Sequence, residues 1–222
     1  MLQSKTRWNL KQSNQQAVDI LTKELQITPL VAQLLVNRGI NTIDSVKSFL
    51  FLDTLQFHDP YLLKDMDKAV QRIKAAIDNN ENILIFGDYD ADGVSSTTVL
   101  METLNRLGAN ADFYIPNRFT EGYGPNEGAF RFAKENGTDL IITVDTGISA
   151  LNEAKIASDL GMDYIVTDHH EPGPELPQAL AIIHPKLKDN EYPCKDLAGV
   201  GVAFKLAHAL LGELPEDLLE IA

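Results

Sequence analysis

The chain has 222 residues, 44% of them hydrophobic and 23% charged, which is an ordinary soluble-protein composition with enough length to bury a core. Nineteen Lys and Arg against 32 Asp and Glu give a formal charge of −13, which argues against a broad sequence-independent nucleic-acid surface but not against nucleic acid in a metal-lined cleft. No apolar run approaches the roughly twenty residues of a membrane span, the first residues lack a signal-peptide core, and the single Cys194 suits a reducing compartment, so a cytoplasmic protein is expected.

The first eighty residues read as helices. Thr28-Pro29 is an N-cap followed by a first-turn proline, "LVAQLLVNR" continues, and Gly39 is placed to end that helix. Thr42 starts another helix over "IDSVKSFL". In "DMDKAVQRIKAAIDNN", Met66, Ala69, Val70, Ile73, Ala76 and Ile77 share one helical stripe.

At residue 82 the rhythm changes. The apolar runs "NILIFG", "ADFYIP", "DLIITVD", "DYIVTD" and "LAIIHP" alternate with helical stretches, predicting a parallel sheet with helices on both faces. The fold class expected is therefore α/β, preceded by a helical segment. A last helix covers "AGVGVAFKLAHALLG".

Polar loops follow the first, third, fourth and fifth strands, at the edge where open α/β sheets bind ligands. In "FGDYDADGVSST" an extended backbone would put Asp90 and Asp92 on one side with Asp88 behind them. Three carboxylates so close repel unless protonated or neutralised by cations, so a metal site is the economical reading; a solvated turn at Asp92-Gly93 is the plain alternative. Asp145 ends "LIITVD" at the same edge, and Asp168, His169 and His170 follow the next strand, where one imidazole can ligate and the other can serve as acid or phosphate partner. Carboxylate and imidazole without thiolate favour Mn²⁺ or Mg²⁺, and two such ions about 4 Å apart would suit phosphoester hydrolysis.

"GDYDADGVSSTT", "VDTGIS" and "TDHHEPG" resemble the first three motifs of the DHH phosphoesterase superfamily. Within it, "YIPNRFTEGYGPN", "DLAGVGVAFKLAHALLG" and the helical leader resemble the bacterial single-strand-specific 5′-to-3′ DNA exonucleases. The resemblance implies a two-metal exonuclease of repair and recombination, with Asp90, Asp92, Asp145 and His169 as ligands and Asp145 as the bridge. His170 would contact the scissile phosphate, and Asp168 would orient the histidines. Phe86 stands where small-molecule phosphatases of the superfamily carry a histidine, and Asp88 is the expected substitute ligand. The resemblance also divides the chain into a helical segment over 1–80 and a DHH domain over 81–222 that ends before the fourth motif, as the N-terminal piece of a longer exonuclease. Arg118, supported by Asn117, is expected to take a phosphate, and Tyr123 to stack on a base; Phe119 is expected to pack in the core. His184 reads as a simple strand end. Single-stranded DNA is the expected substrate and DNA-repair proteins the expected partners; a small-substrate phosphatase or short-oligonucleotide hydrolase, or a non-catalytic metal-stabilised module, are the alternatives.

Overall fold

A computed structural model describes residues 9, 11–51 and 57–222; the remaining parts of the expected helical leader, 1–8, 10 and 52–56, lie outside the described residues. The chain divides into two compact units, Met1–Phe57 and His58–Ala222. In the first, α1 (Gln15–Leu25), α2 (Pro29–Asn37) and α3 (Ile43–Leu50) bury Val18, Leu21, Ala32, Leu35 and Val46. Side chains satisfy their first-turn amides: Thr28 Oγ1 accepts from Val31 N at 3.4 Å, and Thr42 and Ser45 form a reciprocal capping box. Gly39 follows α2 with φ +86°, the left-handed conformation in which a side chain is unfavourable.

The second unit contains α4 (Met66–Asp78), β1 (Asn82–Phe86), α5 (Ala91–Arg106), β2 (Asn110–Tyr114), α6 (Glu127–Glu135), β3 (Thr138–Val144), α7 (Leu151–Asp159), β4 (Asp163–Thr167), β5 (Ala181–Ile183) and α8 (Gly199–Leu211). The packing boundary between the units lies between Phe57 and His58, and α4 belongs to the second unit because its apolar stripe is buried in that core together with β1 and β3.

The five strands form one parallel sheet in the order β2-β1-β3-β4-β5. Alternation along each strand decides which layer it feeds. Ile83, Ile85, Leu140, Ile142 and Ile165 meet α4, α5 and α8, while Phe86, Ile141, Tyr164 and Val166 meet α6 and α7. Central β3 is buried on both faces, as a strand covered by helices must be. At the opposite edge from the polar loops, Arg72 bridges Glu81 and Asp163, tying α4 to the sheet. Ile142→Ala, at the centre of this core, should lower the unfolding free energy by about 2–5 kcal/mol, read from urea unfolding followed by circular dichroism.

Candidate metal centre

The strand order reverses between β1 and β3, which opens a crevice beyond their carboxyl ends. Residues 88–92 leave β1 into it, residues 145–149 leave β3, and residues 168–171 leave β4.

The segment after β1 does not run extended. Helix α5 begins at Ala91, with Asp90 as its N-cap accepting from Gly93 N at 3.0 Å. This tight entry requires a glycine, because a Cβ at residue 93 would lie 2.5 Å from the backbone oxygen of Asp88. Each helical step turns the chain about 100°, so Asp90 and Asp92 point apart instead of sharing a side. Asp90 stays with Asp88 and Asp145, their ligand oxygens all within 4.8 Å of one another. Asp92 turns towards α8, where its two oxygens accept from Gly199 N at 2.8 Å and Val200 N at 2.6 Å. Its Oδ2 remains 3.5 Å from His169 Nε2.

Asp145 has φ +58° and is 1% exposed. It also belongs to a second group, with one ligand atom each from Asp145, His169 and His170 within 4.8 Å. Asp145 Oδ1 lies 3.1 Å from His169 Nε2 without a hydrogen bond, and Asp88 Oδ1 is likewise buried without a hydrogen-bond partner. Buried carboxylate oxygens left this way are costly unless protonated or neutralised, and a divalent cation satisfies several at once. Burial, followed by the charges of Asp92 and Asp90, pushes the Asp145 carboxyl up to about 8. Burial likewise raises Asp88. The donor set fits a hard divalent cation, with Asp145 common to both groups of ligand atoms.

Asp168 is almost fully buried and its oxygens are occupied by the protein itself. Oδ2 accepts from Ile148 N at 2.9 Å, while Oδ1 accepts from His169 N at 2.7 Å and His170 N at 3.1 Å and lies 2.7 Å from His170 Nδ1. It ties the loop after β4 to the loop after β3 and fixes the His170 ring. Burial opposes a charged His170, yet the hydrogen bond to Asp168 and the nearby carboxylates outweigh it and raise the imidazole.

His184 is more than a strand end. It is fully buried, Nδ1 accepts from Lys186 N at 3.1 Å, and Nε2 therefore donates to the His170 carbonyl at 2.7 Å. Burial holds its pKa down, consistent with the neutral tautomer this requires. Thr167 pairs with Ile183, so Asp168 and His184 leave adjacent strands one residue beyond that pair.

Beside His170 a row of rings leads away from the centre. The Tyr123 hydroxyl is 3.5 Å from both His170 ring nitrogens, Tyr89 meets Tyr123 edge-on at 6.4 Å, and the Arg118 guanidinium sits 4.3 Å over the Tyr89 ring. Tyr89 went unnoticed in the sequence between two more conspicuous aspartates. Asn117 shapes the turn: its Oδ1 accepts from Phe119 N at 2.9 Å and its N–H donates to Glu121 at 2.8 Å. Phe119 is 93% exposed, which overturns the expectation that it packs in the core: the Asn117 turn carries it outward at the loop tip.

Residues 82–222 match the DHH family, N-terminal domain. The chain belongs to the DHH family. It is 60% identical over all 222 residues to the single-stranded-DNA-specific exonuclease RecJ of Bacillus subtilis (strain 168), of which it covers 28%. Among solved structures it is similar to exonuclease RecJ bound to manganese, with TM-score 0.66 and 36% identity over 72% of this chain and 41% of that one. It is also similar to RecJ of Thermus thermophilus in complex with Mn²⁺, with TM-score 0.73 and 29% identity over 96% of this chain and 30% of that one. This DHH chain thus spans roughly a third of the length of such relatives.

The raised groups give the metal-free protein a defined pH response. An acid raised from near 4 to about 8 keeps in the folded state a proton that the unfolded chain has released, so stability falls as pH rises through that interval. The raised His170 contributes in the same direction, because its stabilising proton is lost as pH climbs. The melting temperature of the metal-free protein should therefore fall between about pH 6.5 and 8, and the increment from saturating Mn²⁺, which competes with those protons, should grow over the same range in differential scanning fluorimetry.

Proposed function

We propose that this chain carries the metal-dependent centre of a 5′-to-3′ exonuclease that hydrolyses phosphodiester bonds of single-stranded DNA, in the cytoplasm of a bacterium and in the setting of DNA repair and recombination. The observation that carries the reading is the pair of ligand groups sharing Asp145, with orphaned carboxylate oxygens between them and the Arg118–Tyr89–Tyr123 row alongside. The RecJ exonucleases similar to this chain support the substrate, and their manganese complexes support the cofactor. Among the described residues no helix is long and apolar enough to cross a membrane.

On this reading Asp88, Asp90 and Asp145 would hold one divalent ion, and Asp145 and His169 of the second group, next to Asp92, would hold the other, which leaves the third member of that group, His170, to face the substrate. Bound Mn²⁺ or Mg²⁺ supplies electrophilic polarisation of the phosphoryl group and a nucleophile from water at neutral pH. The chain's own residues do the rest. His170, its Nδ1 held by Asp168, presents Nε2 to a phosphate oxygen as a hydrogen-bond and proton donor. His184 fixes the backbone that carries it, so the ring keeps its place as the substrate changes.

The ring row selects the strand. An unpaired nucleotide exposes a face that Tyr89 or Tyr123 can cover, whereas paired bases keep those faces stacked. Arg118 offers a planar fork to a terminal 5′-phosphate, and its perch on Tyr89 limits the entropy lost on binding. Asn117 builds the turn that presents it.

The test is Mn²⁺-dependent release of mononucleotides from 5′-labelled single-stranded DNA by the protein that contains this chain. Release from single strands but not duplexes is expected; hydrolysis confined to dinucleotides or small phosphoesters would replace the reading with that of a DHH phosphatase or short-oligonucleotide hydrolase. Asp145→Ala should remove Mn²⁺ binding at both groups and lower the rate by more than about 100-fold with the fold retained by circular dichroism. Arg118→Ala should weaken binding of a 5′-phosphorylated strand by about tenfold or more and leave a 5′-hydroxyl strand nearly unchanged, measured by fluorescence anisotropy.

A further inference from the structure

Helix α8 starts in an unusual way. Its N-cap is Ala198, whose side chain cannot accept a hydrogen bond, so the first-turn amides need acceptors from elsewhere. Asp92 of α5 provides them, one oxygen to Gly199 N and the other to Val200 N. A carboxylate at this end of a helix also meets the positive end of the helix dipole. The arrangement is fixed from below, since α5 and α8 share Leu100, Leu104, Val202 and Leu206 in one cluster.

The same turn also touches the residue common to both ligand groups. A Cβ at Gly199 would stand 2.3 Å from Asp145 Oδ1 and 2.6 Å from its Cβ and Cγ, so no side chain fits there while Asp145 keeps its place. Two residues on, the contact is ordinary by comparison: a Cβ at Gly201 would meet only the Leu197 side chain, at 3.2 Å from Cδ2. The glycines of "AGVGV" are therefore not equivalent, and only the first is forced by the metal centre.

We propose that the N-terminal turn of α8 is a positioning element of the metal centre. Its amides fix the Asp92 carboxylate beside His169, and the missing side chain at residue 199 admits Asp145 to the position shared by both ligand groups. The inference rests on the metal reading above. It adds that ion binding and the seating of α8 are coupled, because the helix donates to the Asp92 carboxylate and packs against that of Asp145. The middle and far end of α8 are anchored independently, by Lys205 Nζ donating to the His58 carbonyl at 2.8 Å and the Tyr61 hydroxyl donating to the Ala209 carbonyl at 3.3 Å. The coupling is thus confined to the first turn.

The experiment compares Gly199→Ala with Gly201→Ala, the same substitution about half a turn apart, by Mn²⁺ titration followed by electron paramagnetic resonance and by the Mn²⁺-induced rise in melting temperature. Gly199→Ala should weaken Mn²⁺ binding by about tenfold or more and lose most of the Mn²⁺-induced stabilisation, while Gly201→Ala binds within about twofold of the unsubstituted protein. Equal binding by both variants, or equal losses in both, overturns the positioning role. An unsubstituted protein that binds no Mn²⁺ instead sinks the metal reading itself. Should Gly199→Ala fail to fold, a Mg²⁺ titration of the ¹⁵N-labelled unsubstituted protein decides: the Gly199 and Val200 amide resonances should shift in step with those of Asp145 and His169, and unmoved resonances reject the coupling.

Discussion

Four carboxylates, those of Asp88, Asp90, Asp92 and Asp145, are forced into one crevice, and the organisation of the second unit follows from how each is handled. A folding chain tolerates such crowding only where protons, hydrogen-bond donors or cations offset it. Here the solutions differ from residue to residue. Asp90 is partly satisfied by the amide of Gly93, and Asp92 is held by two amides of α8. Asp88 and Asp145 each keep an oxygen with no protein donor, and these are the positions from which a cation gains most.

Parallel topology makes this concentration possible. Every strand in the sheet delivers its following loop to the same edge, and the reversal between β1 and β3 leaves a gap there that no crossover helix fills. The fold thereby gathers residues from distant parts of the sequence, from Asp88 to His170, without any strand being strained to do so. Of the residues gathered there, Asp145, which both ligand groups need, has left-handed backbone.

Much of this was legible in the sequence because it is local. Apolar runs of parallel strands, the Thr28 and Thr42 caps and the stripe of α4 each follow from neighbours within a few residues, and the structure has them where the spacing puts them. What escaped was packing that the spacing of residue types does not carry. The extended reading of Asp88 to Asp92 failed because the close packing of Gly93 on Asp88 starts α5 early, and the spacing of aspartates alone does not reveal that. That α4 packs with the second unit was not legible, because it buries its stripe against strands that come later in the chain. His184 and Tyr89 were missed for the same reason, since each acquires its role from a partner on another loop.

The charge of −13 bears on how such a centre meets a polyanion. For a chain of this sign the proposed reading needs contacts made at short range, within a Debye length of about 10 Å, rather than long-range attraction. Asp145 and Asp88 reverse sign locally once an ion neutralises them, and Arg118 is held beside that point on an aromatic face. On the proposed reading, an anionic strand would gain most where ions, guanidinium and aromatic rings coincide. Negative charge elsewhere sharpens the preference for the crevice, provided the ions arrive first. On the proposed reading the order matters physically, because a strand would meet neutralised carboxylates only after the ions are bound.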